Sequence, residues 1–228
     1  MLIQSPLLTK ASGALAGMVG SHNKGGMYLR GRATPTNPGT SFQQDVRNFI
    51  NQLATAWSNT LTQAQRDAWD VYAANQPLTN RLGESRNIPG LAHYTRANVP
   101  RLQAAATRID TAPTTFTLPS FTITAVSASE ATQNISISFN VADVWNADLG
   151  WLPILASRPQ SVGIIYFKGP YRFADALEGD TAIPLTSPQT VAAPFAFVED
   201  QKLFLSIRAS NPDGRLATEQ RFSLIAAA

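Results

Sequence analysis

The chain contains no cysteine. That excludes a disulfide framework, a thiol nucleophile and thiolate zinc sites, although it leaves the compartment open. Histidine is almost as scarce, with only His22 and His93. They stand far apart, with no HExxH pattern and no carboxylate at ligand spacing, so no metal centre is expected. Charged residues make up 14% of the chain, well below the roughly 25% of an average soluble domain. Long apolar runs are also missing. Leu2 to Leu8 is broken by Pro6 and preceded by no basic residue, and Ala11 to Val19 is glycine-rich and too short to span a bilayer. The expectation is a soluble chain without a membrane association, whose mature form begins near Met1.

What fills the charge deficit is Thr, Ser, Asn, Gln and Ala. Such a surface is neutral and rich in hydrogen-bonding groups, and it suits proteins that assemble. The charge that exists is uneven. Residues 1–110 carry a net +6 and residues 111–228 a net −3. The first 32 residues hold Lys10, Lys24, Arg30 and Arg32 and no acid at all.

Glycine and proline divide the chain. Seven glycines between Gly13 and Gly39, with Pro35 and Pro38, leave no room for a long helix in residues 1–40. The interspersed Leu15, Met18, Val19, Met27, Tyr28 and Leu29 are too apolar for a flexible linker. Two readings stay open: a basic extended arm that orders against a partner, or a glycine-rich hairpin packed on its own domain. In the first, His22, Lys24, Met27, Tyr28, Leu29, Arg30 and Arg32 are the partner-binding residues.

A short helical segment follows over residues 41–110. Thr40-Ser41 supplies an N-cap. Phe42, Val46, Phe49, Ile50, Leu53 and Trp57 then form an amphipathic stripe that Asn59 ends. Thr62 to Gln65 is a capping box before a second helix running to about Asn75. A third begins near Pro89-Gly90 and carries Leu91, Tyr94, Asn98 and Leu102, with Pro100 inside it. Phe49, Trp57, Trp69 and Tyr94 are the expected structural anchors of this small core.

From about Thr111 the period changes to two. Phe121, Ile123 and Ala125 alternate with Thr, and Ile135, Ile137, Phe139 and Val141 with Ser and Asn. Further strands are expected at Leu152–Ala156, Val162–Phe167, Ala193–Val198, Lys202–Ala209 and Gln220–Ile225, with a turn at Asn211-Pro212-Asp213-Gly214. The fold class expected is α+β. An extended arm and a helical segment lead into an antiparallel immunoglobulin- or fibronectin-like β-sandwich over residues 111–228.

Catalytic patterns are missing as well. The glycines around Lys24 lack the spacing and the following helix of a phosphate loop, and no G-x-S-x-G elbow occurs. Asp143 with Asp148, and Asp175, Glu178 and Asp180, are too sparse for a calcium loop and read as solvated loops between strands. No enzymatic activity and no cofactor are expected.

Gly25-Gly26-Met27-Tyr28-Leu29-Arg30 is followed by Pro35 and Pro38 and then by Gln43, Gln44, Arg47 and Phe49. Gln65-Arg66-Asp67-Ala68-Trp69 and Gly90 with Tyr94 and Asn98 come next. Through this set the stretch from Gly13 to about Leu102 resembles a family of virion-associated proteins encoded in tailed-phage and prophage genomes. The resemblance implies a bacteriophage virion structural protein with capsid, connector or tail subunits as partners, oligomeric in the particle. It carries over no catalytic residue. Two other functions fit the composition. One is a glycan- or receptor-binding module using Trp145, Trp151, Tyr166 and Tyr171. The other is a nucleic-acid binder inside the particle, for which four basic residues in the arm are few.

Overall fold

In the computed structural model, residues 12–24, 26–33, 36–37, 39–80 and 82–228 are described. Gly25, Pro35 and Pro38 of the motif above lie outside them, as does the segment preceding Ser12. The described chain is a mixed α+β structure.

The glycine-rich segment forms a small antiparallel sheet. Strands β1 (Gly13–Leu15), β2 (Met18–Asn23) and β3 (Gly26–Gly31) pair in that order. Ala16 (φ 42°) and Gly17 (φ 84°) turn β1 into β2, the paired left-handed conformation that a tight hairpin requires. Over these strands the chain pairs with itself as a three-stranded sheet, in place of a single extended arm.

Helices α1 (Ser41–Asn59) and α2 (Gln63–Asn75) follow. Thr40 caps α1 through its side-chain oxygen, and Thr62 with Gln65 closes the expected capping box on α2. A two-stranded hairpin, β4 (Leu78–Thr79) and β5 (Ser85–Arg86), leads to α3 (Gly90–Gln103), which contains Pro100. The helices close on Leu53, Ala56, Leu61, Trp69, Tyr72, Tyr94 and Ala97. Trp69 and Tyr94 are both fully buried, and the Tyr94 ring stands 5.6 Å from Trp57 and from Trp69. The indole N–H of Trp69 donates to the Asp110 carbonyl (3.0 Å), and the Tyr94 hydroxyl donates to the Asp110 carboxylate (3.0 Å). Trp57 packs against this cluster from its edge. Phe49 is half-buried, one turn short of the core, and Phe42 and Ile50 are exposed. The amphipathic stripe of α1 is therefore buried only in its second half, at Leu53 and Ala56.

Seven strands follow: β6 (Ile123–Ser129), β7 (Asn134–Phe139), β8 (Trp151–Ala156), β9 (Arg172–Glu178), β10 (Gln189–Ala192), β11 (Lys202–Ile207) and β12 (Gln220–Ile225). They form two antiparallel sheets, β10-β7-β6 and β12-β11-β8-β9. One core lies between them, built from Ile135, Ile137 and Phe139 of β7, Leu152 and Ile154 of β8, and Leu203, Leu205 and Ile207 of β11. Fully burying each such side chain is worth about 1.5–3 kcal/mol. The outer face of β11 is covered too: Phe204 stacks on Phe167 at 5.4 Å, and the Ser206 hydroxyl donates to Glu219.

Two expected strands are differently placed. Val162–Phe167 is irregular chain, and the strand pairing with β8 is β9, ten residues on at Arg172. Phe167 alone packs on the outer face of β11, while Val162, Ile164, Ile165 and Tyr166 stay exposed, so the run lies beside the sheet without pairing to it. Ala193–Val198 is likewise a loop, and the strand precedes it at Gln189–Ala192. Asp175 and Glu178, read as loop residues, belong to β9.

The helices and sheets are joined by Arg101, which is fully buried. Its Nε donates to the Thr107 carbonyl (3.0 Å) and its Nη1 to that of Leu149 (2.7 Å). Among the described residues no helix is long and apolar enough to cross a membrane.

Candidate functional site

The register of the N-terminal sheet sorts its side chains onto two faces. Residues opposite one another across an antiparallel pair share a face, and neighbours along a strand alternate. Gly20 pairs with Leu29 and His22 with Met27, placing Met18, His22, Met27 and Leu29 on one face. Val19 pairs with Arg30 and Ser21 with Tyr28, placing these four on the other. The partner-binding set read from the sequence is thus divided: Met27, Leu29 and His22 on a mainly apolar side, and Tyr28 with Arg30 on the reverse. Lys24 lies just beyond the end of β2, and Arg32 follows β3, its backbone N–H donating to the Gly17 carbonyl.

Among the described residues, a Cβ placed on Gly13, Gly17, Gly26 or Gly31 would meet nothing within 4 Å. Met18 is 48% exposed, and His22, Lys24, Arg30 and Arg32 are all exposed. A thioether held in water on an open sheet face gains its hydrophobic stabilisation only when another surface covers it.

The aromatic residues considered for glycan stacking are not presented together. Trp145 is fully buried against Phe139 (4.9 Å), and Trp151 is buried in β8. Tyr171 is half-buried with its hydroxyl donating to the Phe167 carbonyl, and Tyr166 is largely exposed. A glycan platform of several coplanar rings is therefore not formed by these four.

His93 is buried. Its ring meets Tyr72 edge-on at 5.4 Å, and burial, then the nearby Arg96 guanidinium, hold its pKa below the usual histidine value. Arg96 and Arg208, which the sequence reading passed over, line the same cavity as His93. No local signal marks them, because one lies on α3 and the other beyond β11. Among the described residues no group of three or more His, Asp or Glu is placed to hold a metal ion.

No protein-family model matches this chain, and no curated protein matches it either.

Proposed function

We propose that the chain is a structural protein of a tailed-bacteriophage particle, anchored to neighbouring virion subunits through its N-terminal sheet and helices. The observation that carries this reading is the sheet β1–β3, where Met18 and several polar or basic side chains are exposed and, among the described residues, Gly13, Gly17, Gly26 and Gly31 have empty space beside them. A neighbouring subunit can cover the Met18/Met27 face or lengthen the sheet by a strand. Gly allows close backbone approach, and Arg30 and Arg32 can meet carboxylates.

The resemblance over Gly13 to Leu102 supplies the virion setting. In this reading the two C-terminal sheets make an immunoglobulin- or fibronectin-like sandwich that faces outward or towards the next subunit. The half-exposed stripe Phe42, Phe49 and Ile50 on α1 supports docking by the helices as well.

The test is deletion of residues 1–40 followed by quantitative mass spectrometry of gradient-purified particles. The full chain is expected at a fixed ratio to the major capsid protein, and the truncated chain is expected to fold and be lost from particles. Incorporation of the truncated chain at the same ratio overturns the docking role of the sheet. Absence of the full chain from particles overturns the virion role itself.

A further inference from the structure

A cavity of about 140 Å³ lies where the helical unit meets the C-terminal sheets. Its polar lining includes Tyr72 on α2 and Gln76 just after it, His93 and Arg96 one turn apart on α3, Arg208 just after β11, and Thr218. Leu78, Leu118 and Leu216 supply apolar wall.

The charged side chains of the lining, Arg96 and Arg208, can only donate. Neither Arg96 nor Arg208 takes part in the ion pairs formed among the described residues, which are Arg108–Asp110, Arg215–Asp213 and Arg221–Glu219. Two buried atoms in this wall, Arg208 Nε and His93 Nε2, have no hydrogen-bond partner among the described residues, and His93 is only 5% exposed. The acids nearby are already engaged. Glu219 accepts from Ser206 (2.7 Å) and Arg221 (2.8 Å), and Asp213 accepts from Arg215 (2.6 Å). Burial lowers the pKa of both Arg96 and Arg208, and the Arg96 charge lowers that of Arg208 further. Arg96 and Arg208 are half-buried, and Glu219 already favours the Arg208 charge. Two guanidiniums that repel one another and take part in no ion pair among the described residues are still an arrangement that an anion would relieve.

We infer that this cavity binds a carboxylate carried on a short aliphatic stem, with Arg96 and Arg208 taking the two oxygens and Leu78, Leu118 and Leu216 enclosing the stem. A guanidinium presents parallel N–H groups that fit a carboxylate's paired oxygens. His93, hydrogen-bonded to the Gln76 backbone, has an unpartnered Nε2 that donates to the same group once the ring is protonated. A phosphate dianion fits less well, since much of the lining is apolar and would be left against charged oxygen. The carboxylate can belong to a free short-chain acid or to a glutamate side chain of a neighbouring protein. The inference stands on the cavity and is independent of the virion reading.

The experiment is a titration of the full chain, isotope-labelled, with sodium butyrate, with a glutamate blocked at both backbone ends, and with inorganic phosphate. Amide and histidine ring resonances are followed by NMR. Butyrate or blocked glutamate is expected to shift the resonances of residues 72, 93, 96 and 208 saturably and to raise the pKa of His93, because an anion beside the ring favours its charged form. Tighter binding of the blocked glutamate assigns the site to a protein-borne side chain, and tighter binding of butyrate assigns it to a free acid. Arg208→Gln and Arg96→Gln are each expected to weaken binding by about tenfold or more, and neither should lower the stability of the free chain, since each relieves the repulsion between the two guanidiniums. No saturable shift with either carboxylate, equal or tighter binding of phosphate, or unchanged affinity in both variants overturns the inference.

Discussion

Asp70 on α2 caps α3: its Oδ1 accepts the backbone N–H of Gly90 at 2.9 Å. The N-cap of α3 is Pro89, which has no side-chain hydrogen bond to offer, so the orphan donor at the helix start is satisfied from a neighbouring helix. The approach is close. A Cβ on Gly90 would stand 2.5 Å from Asp70 Oδ1 and 2.8 Å from the Asp70 backbone nitrogen. Gly90 is thus required for lack of space, and it sets how closely α2 and α3 approach.

Gly90→Ala is therefore expected to destabilise the chain by about 2–4 kcal/mol, as overpacking against backbone does. Asp70→Ala, which removes only the cap, is expected to cost about 1 kcal/mol. Urea unfolding monitored by circular dichroism measures both, and equal losses in the two variants would contradict the assignment of a steric role to Gly90.

Tyr94 ties the helical core to the segment that leads to the sheets. Its pKa is raised above the ordinary tyrosine value of 10.0, first by burial and then by the hydrogen bond to Asp110. The folded state therefore holds the phenolic proton more tightly than the unfolded chain. The resulting stability is fully present below pH 10 and is lost as pH rises from there through the folded value. Tyr94→Phe is expected to cost about 1–2 kcal/mol at neutral pH, from the lost hydrogen bond to a charged acceptor, and to lose less stability than the parent above pH 10. Denaturant melts at pH 7.5 and pH 10.5 on both proteins decide it.

His93 behaves in the opposite sense. Its folded pKa lies below the ordinary 6.5 because of burial and then Arg96, opposed by a backbone hydrogen bond with Gln76. Tyr72 and Arg208 line the same cavity. A histidine that resists protonation when folded contributes stability above pH 6.5, and that stability is lost as pH falls through the folded value. Comparing unfolding free energies at pH 7.5 and pH 5 for the parent and His93→Gln is expected to show a smaller acid loss in the variant.

The two faces of the N-terminal sheet should separate stability from assembly. Met18→Asp with Met27→Asp is expected to change the unfolding free energy by no more than about 0.5 kcal/mol, since the substituted positions are not core positions. Incorporation into particles should fall sharply. Normal incorporation of the double variant, measured by mass spectrometry against the major capsid protein, would place the docking surface elsewhere.

Local signals read well wherever a short stretch of chain determines its own hydrogen bonding. The Thr62–Gln65 capping box, the end of α2 at Asn75 and the start of α3 at Gly90 are each set by a few neighbouring residues, and so is the turn closed by Gly214 N–H to the Asn211 carbonyl. Alternation identified β7, where Ile135, Ile137 and Phe139 are buried. It failed at Val162–Phe167, because an apolar run is a strand only if another strand lies beside it. Phe167 instead found its burial on the ring of Phe204.

Composition and period by themselves determined an α+β chain with a glycine-rich start, three helices and a β-rich second half, since turn chemistry, capping and side-chain alternation act over a few residues. They also determined Trp69 and Tyr94 as core, through size and helical spacing. Tertiary structure alone decided that Phe49 stops short of that core, that Asp70 caps a helix other than its own, and that Arg96 and Arg208 face one cavity. Those relationships join residues far apart in the chain. They exist only once the helices have packed on the sheets, and no local pattern of residues encodes which distant group will lie across the gap.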